Sequence, residues 1–303
     1  MKTKITYVFV FIFLFAFSGY AGVAVSDAAR QLIEKQLVEK GLDADQVKRI
    51  IYDPRIDLNP DIVIKNLFYS SPKGSGEQPS VMKIDPALIE EGRGFMKENA
   101  GLLALVEQRF GASPRIITAI LIIESRLGKY PMPYGAVTAY ANLAFLLDPE
   151  YFKDIQSKYA DQYPQINDKD VMARAQRRAK WALDELYHLA HIARDLAIDP
   201  LTIRGSFSGA LGPAQFIPST FRAYGIDGDN DGTCNPFNMT DAKLSMGNYL
   251  KKSGWSESAS IEQKRKAVWH YNRSAVYVNT IMMLYDELQK PSPEPESPER
   301  PSY

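Results

Sequence analysis

The chain has 303 residues, 45% of them hydrophobic and 24% charged, enough for one large or two small globular domains, which excludes a disordered chain. Its 36 basic residues balance 36 acidic ones, and no basic run is interleaved with aromatics, so nothing supports a nucleic-acid partner. Cys234 is the only cysteine, which excludes an intramolecular disulfide and leaves packing, with a bound metal as a possible addition, to stabilise the fold.

Lys2 and Lys4 precede an apolar run from Ile5 to Phe17, and small residues follow through Ala21 and Ala24. This pattern predicts a signal peptide over residues 1–24, because the run is short for a membrane span and Gly19-Tyr20-Ala21 or Gly22-Val23-Ala24 fits a cleavage site. A retained anchor is the other reading of the same run. No cysteine near the cleavage region offers a site for lipid attachment. The expectation is therefore an exported, soluble protein with no membrane anchor after cleavage. Removing the two lysines leaves the remaining chain with two more acids than bases.

Residues 27–52 carry Leu32, Ile33, Leu37, Val38, Val47, Ile50 and Ile51 at helical spacing around a break at Gly41. Residues 71–80 read as a flexible loop within one domain, and the Pro, Ser and Glu-rich residues 291–303 as a disordered tail. In between, residues 86–110, 113–127, 168–197 and 240–252 have three- and four-residue apolar spacing, while alternating patterns are few and short. The fold class expected is mainly α, with one domain over residues 25–290. No phosphate-cradling glycine loop precedes a helix, which argues against a nucleotide enzyme.

One acid stands out in the second of those four helices. Ser113 and Pro114 form an N-cap and first-turn pair, Gly128 sits at the C′ position, and Ile117, Ile120, Leu121 and Glu124 share a face. No basic residue lies three or four positions from Glu124. Desolvation without a counter-charge raises a carboxyl pKa toward what a general acid needs. Pairing across helices with a distant basic residue is the alternative.

His188 and His191, with Asp184 and Asp195 one turn outside them, sketch a metal-binding face but read more simply as helix-surface contacts. In GSFSGALGPAQF, Gly205, Gly209 and Gly212 break the chain into turns where backbone approaches a ligand, with Ser206 and Gln215 as uncharged donors and acceptors. A glycine-rich connection with a capping serine has the same composition. Asp227, Asp229 and Asp231 then alternate, Gly232 falls at loop position six, and Thr233 at position seven offers a carbonyl. This is the front half of an EF-hand calcium loop, although position twelve is Asn238 instead of a bidentate glutamate. A solvated Asp/Gly turn is the alternative. Cys234, at position eight, reads as a small hydrophobe, since a thiol is a poor calcium ligand. Finally, WHYNRSAVYV brings Tyr271, Asn272 and Tyr277 together, either as a sugar-binding aromatic and amide set or as ordinary helix packing.

The segments ITAILIIESRLGKY, GSFSGALGPAQFIPSTFRAY and DGDNDGTCNPFNMTD, in this order, resemble the lytic murein transglycosylase B family from about residue 92 to residue 277. Glu124-Ser125-Arg126-Leu127-Gly128 matches the family's ExRxG, and residues 205–219 match its GSxxGAxGxxQFxPS. The resemblance implies a lysozyme-like helical domain with an EF-hand-like calcium loop. It implies Glu124 as the single catalytic carboxyl, which protonates the leaving oxygen and then takes the proton of the muramic acid C6 hydroxyl. Ser206, Gln215, Tyr249, Tyr271, Asn272 and Tyr277 would position the substrate. Asp227, Asp229, Asp231 and Thr233 would bind a structural Ca2+, with Asp241 at position fifteen closing the loop. Pro213-Ala214 departs from the family's usual Tyr-Gly, which puts one sugar subsite in doubt. The implied partner is the peptidoglycan glycan strand, and the implied setting is a monomer in the periplasm. Hydrolysis of the same bond, or calcium-dependent binding without catalysis, are the alternatives.

Overall fold

Ser26 accepts the Ala29 amide proton at 3.1 Å and opens α1 (Asp27–Glu39); Gly41, at φ 99°, reverses the chain into α2 (Ala44–Ile51), capped by Asp43. This is the helix, break and helix expected of residues 27–52. The computed structural model describes residues 25–68 and 80–291. The expected export segment, nearly all of the 71–80 loop and all but the first residue of the tail lie outside the described residues. After α3 (Pro60–Phe68), the helix expected over 86–110 is two, α4 (Pro86–Glu98) and α5 (Ala100–Phe110). They part at Asn99, whose side-chain amide donates to the Phe95 carbonyl at 2.9 Å and competes with the helical ladder.

The next helix, α6 (Pro114–Ser125), stops short of the expected residue 127 because Arg126 and Leu127 turn left-handed at φ 48° and 60°, followed by Gly128 at 84°. Ser113 holds the N-cap position, but its hydroxyl makes no cap bond. Every position from Ile116 to Ile122 is buried, not one face only. A helix that is apolar all round belongs at the centre of a fold; α6 meets α4 and α5 as well as two helices from the end of the chain. Burying its five aliphatic side chains, at about 1.5–3 kcal/mol each, anchors it more firmly than any cap.

Two residues of strand, β1 (Tyr134–Gly135), lead into α7 (Ala136–Ala144), α8 (Pro149–Tyr159) and the long α9 (Lys169–Asp195), two residues shorter at its end than expected. A second short strand, β2 (Arg204–Gly205), pairs antiparallel with β1, Tyr134 opposite Gly205. The chain closes with α10 (Pro218–Tyr224), α11 (Met239–Lys252), α12 (Ile261–Tyr271) and α13 (Ala275–Glu287). One buried apolar cluster runs from Ala29 to Leu288, so the described helices share a core. Among the described residues no helix is long and apolar enough to cross a membrane.

Candidate active site

Glu124 sits in the last turn of α6, where the helix axis runs out of the core. The side chain is only partly exposed. Its Oε1 accepts the Tyr277 hydroxyl from α13 at 2.6 Å. Burial pushes its pKa up to about 7, and the Tyr277 hydrogen bond offsets part of that rise. No ion pair reaches Glu124 among the described residues; Arg126 points outward and is exposed. Pairing with a distant base is therefore not what this fold does. The left-handed Arg126–Gly128 stretch directly behind Glu124 is backbone strain held by surrounding bonds: the Leu127 amide reaches the Leu121 carbonyl at 2.9 Å, and the Gly128 amide the Ser125 hydroxyl at 3.0 Å.

The glycine-rich segment forms a tight loop that enters from β2. Gly212 has φ 59°, and a Cβ there would overlap the Pro236 carbonyl, so no other residue fits. Ser206 belongs to the turn itself: its Oγ accepts the amides of Ser208 at 3.2 Å and Ala210 at 3.1 Å, while its own amide reaches the Ala210 carbonyl at 2.9 Å. The capping serine and the loop at the site are thus the same feature. Gln215 adopts φ 51°, and its Nε2 donates to the Gly212 carbonyl at 2.8 Å and approaches the Met132 sulfur at 3.2 Å. The adjoining Ala214 carbonyl accepts the Tyr271 hydroxyl at 2.6 Å, which joins the loop to the aromatic wall.

That wall is built on Phe216. Its ring lies 5.5 Å from those of both Tyr249 and Tyr271, which are 5.2 Å from each other, and Tyr224 closes the group 4.9 Å from Tyr249. Tyr249 donates to the His270 carbonyl at 2.7 Å. Burial, and then the Glu124 charge, hold the phenols of Tyr271 and Tyr277 well above their ordinary pKa, so both remain proton donors. Asn272 is exposed at the elbow between α12 and α13, its side-chain amide without a hydrogen-bond partner among the described residues. Glu124, Tyr277, Tyr271 and Tyr249 therefore converge. Gln215 joins them through the loop, and Asn272 through the end of α12.

In the acidic loop the structure brings together Asp227, Asp229 and Asp241, each offering a carboxylate oxygen within 4.8 Å of the others. Asp241 is fully buried in the first turn of α11 and accepts the Gly228 amide at 2.8 Å and the Asn235 amide at 2.7 Å. Asp227 accepts the Gly232 amide at 2.9 Å through one oxygen, while its other oxygen, Oδ1, is buried without a hydrogen-bond partner among the described residues. Asp231 stands outside this group; its carboxylate caps the Thr233 amide at 2.7 Å, and the Thr233 carbonyl accepts nothing among the described residues. Asn238 caps α11 by accepting the Thr240 amide at 2.7 Å and donates to Asp229 at 2.6 Å, which explains an asparagine at loop position twelve. Three converging carboxylates, one of which carries a buried oxygen unpaired among the described residues, fit a hard divalent cation. Burial and then the flanking Asp241 and Asp227 push the Cys234 thiol up to about 12, which leaves it a protonated, half-buried hydrophobe.

His188 and His191 do not form a metal group among the described residues. Arg222 lies 3.0 Å from His188 Nδ1, and both imidazoles pack on Tyr187, consistent with helix-surface contacts. Two features at the site escape sequence reasoning. In the sequence Phe216 is only part of the QF motif, and Glu185 is one acid among several along α9. Glu185 is 2% exposed, and it accepts the amide of Ser219 at 2.9 Å and its hydroxyl at 2.7 Å, tying the start of α10 to α9. An acid between Ala182, Leu186 and Leu189 on a buried face was the available signal.

A family model described as a transglycosylase SLT domain matches residues 24–266. The membrane-bound lytic murein transglycosylase B of Escherichia coli (strain K12) is 29% identical over 243 residues, covering 77% of this chain; the chain spans 59% of that relative's length. Among solved structures, the Escherichia coli lytic transglycosylase SLT35 in complex with bulgecin A superposes with a TM-score of 0.67 at 22% identity, over 86% of this chain and 92% of that one. SLT35 in complex with calcium gives 0.67 at 22% identity, over 88% and 93%. The soluble lytic transglycosylase SltB1 from Pseudomonas aeruginosa gives 0.68 at 21% identity, over 86% and 98%.

Proposed function

The chain belongs to the transglycosylase SLT domain family, and from that premise we propose that it is a lytic transglycosylase acting on peptidoglycan glycan strands. The observation that carries this reading is Glu124, a partly buried carboxyl with a pKa raised to about 7 and a hydrogen bond from the Tyr277 hydroxyl. A carboxyl at that value serves as an acid and then as a base near neutral pH.

Protonated Glu124 gives its proton to the oxygen bridging N-acetylmuramic acid to N-acetylglucosamine, and the muramic C1–O bond breaks. The Tyr277 hydroxyl stabilises the carboxylate that results. The carboxylate then accepts the proton of the C6 hydroxyl of the same muramic acid as that oxygen bonds C1. The product is a 1,6-anhydro sugar, Glu124 is protonated again, and no water is consumed. Phe216, Tyr249 and Tyr271 offer the ring wall on which sugar faces pack, and Gln215 and Asn272 the amides that read their substituents. Ser206 acts by shaping the loop, its hydroxyl oxygen being held by two amides.

We assign Ca2+ to Asp227, Asp229 and Asp241, with Thr233 offering its carbonyl and Asp231 bracing the loop; the ion would neutralise the carboxylates and rigidify the segment packed against Gly212. We take the catalytic unit to span residues 25–290 and to act as a monomer, and the N-terminal pattern supports export to the periplasm.

The test is mass spectrometry of muropeptides released from purified peptidoglycan by the wild type and by Glu124→Gln. Products ending in 1,6-anhydromuramic acid that vanish in the variant support the reading. Reducing muramic ends would mean hydrolysis, and release that does not depend on Glu124 would leave only a binding role.

A further inference from the structure

Glu257 lies in the turn ahead of α12, and its carboxylate gathers donors from three elements. Oε1 accepts the Ser113 amide at 3.1 Å, at the N-cap of α6, and the Trp255 indole N–H at 3.1 Å. Oε2 accepts the Tyr285 hydroxyl from α13. Arg115, in the first turn of α6, and Lys264, in α12, each stand 3.7 Å away as counter-charges. Both cations also engage Tyr285: Arg115 donates to its hydroxyl at 2.8 Å with the guanidinium 4.2 Å from the ring centroid, and Lys264 lies 5.3 Å from that centroid. Burial opposes ionisation of Glu257, but the hydrogen bonds from Tyr285, Ser113 and Trp255 outweigh it and keep the carboxyl below its ordinary value.

The same two helices meet again at the candidate active site. Ser113 faces the Tyr285 end of α13 and Glu124 faces Tyr277, so α6 and α13 run antiparallel. The two points of attachment are about 16 Å apart along α6 and about 12 Å apart along α13, at 1.5 Å per residue. Apolar packing between helices tolerates small tilts and slides, whereas the Tyr277 to Glu124 bond, at 2.6 Å, is lost with a displacement of about 1 Å. A second attachment far along the pair removes that freedom. We infer that Glu257 is a positioning residue: it clamps the start of α6 to α12 and to the end of α13, and so fixes the register in which Tyr277 meets Glu124. Only the chemical meaning of that register rests on the reading of Glu124 as acid and base.

The experiment is a direct titration of the Glu124 side chain by carboxyl 13C NMR in the full chain, for the wild type and for Glu257→Gln, Tyr285→Phe, Tyr277→Phe and the double variant Glu257→Gln/Tyr277→Phe. The Tyr277 hydrogen bond lowers the Glu124 pKa, so losing its register moves the titration up, by about one to two units when the bond is lost entirely. Removing a distant negative charge would by itself move it down, so the sign separates the clamp from a field effect. Expected are upward shifts in Glu257→Gln and Tyr285→Phe and no further shift when Glu257→Gln is added to Tyr277→Phe. A folded Glu257→Gln with lowered Tm and an unmoved or downward-shifted Glu124 titration overturns the inference, as does a shift that adds fully to that of Tyr277→Phe. Should Glu257→Gln fail to fold, Tyr285→Phe, which deletes one hydroxyl at the same junction, decides the matter alone. A wild type that releases no anhydro product would count against the proposed reaction while leaving this titration intact.

Discussion

The Tyr277 hydroxyl donates to Glu124 Oε1 at 2.6 Å across the packed faces of α13 and α6. This bond opposes desolvation: burial favours the neutral carboxyl and the phenol favours the carboxylate. Tyr277→Phe should therefore raise the Glu124 pKa above its value of about 7 and slow the step that needs the carboxylate. A hydrogen bond to a charged group is worth about 1.5–3 kcal/mol, which predicts a kcat roughly 10- to 100-fold lower. Steady-state kinetics on isolated glycan strands across pH, with the carboxyl limb moved upward, checks this; an unmoved limb refutes it.

Glu124 should also cost stability at high pH. Its folded-state value, about 7, lies above the ordinary 4.5, so the folded chain holds a proton that the unfolded chain releases. Its contribution is fully present below about pH 4.5 and is lost as pH rises through 7. Replacing it with the uncharged Glu124→Gln removes that loss. The variant should be more stable than the wild type at pH 8, by about 1–3 kcal/mol, and close to it at pH 5. Chemical denaturation at the two pH values measures the difference, and an equal offset at both would count against a desolvated carboxyl.

The acidic loop should respond to calcium through Asp227 more cleanly than through Asp241. Among the described residues Asp227 has a buried oxygen with no partner, while both oxygens of Asp241 hold backbone amides. Calcium should raise the Tm of the wild type over that in chelator, by an increment that grows with free ion. Asp227→Asn should abolish the increment and leave the chelated Tm almost unchanged. Asp241→Asn should lower the Tm with or without calcium, by about 2 kcal/mol or more in stability, because a buried hydrogen-bonded group is disrupted. Calorimetric scans distinguish the two patterns.

Gly212→Ala tests the loop beside Gln215. The added methyl meets the Pro236 carbonyl, backbone that cannot step aside cheaply, at a left-handed φ of 59°. A loss of about 2 kcal/mol or more is expected, together with a fall in activity as Gln215 and Ala214 shift. Gly101→Ala, in open space on α5, serves as the control and should be neutral or stabilising in urea unfolding.

By itself the sequence determined what depends on neighbours along the chain. The helical period around Glu124, the break at Gly41 and the alternation of Asp227, Asp229 and Asp231 are local features, and local geometry follows from them. It also held the motif that led to the family, and so to Glu124, Gln215 and Tyr271 as residues of interest. Only the tertiary structure decided which groups face one another. The lack of an ion pair to Glu124 among the described residues, the choice of Tyr277 as its partner and the exclusion of Asp231 from the carboxylate cluster all depend on contacts between residues distant in sequence. The pKa of Glu124 is the clearest instance. Its rise comes from the desolvation that packing around α6 imposes, and a helix pattern records which residues are apolar but not how completely other helices will cover them.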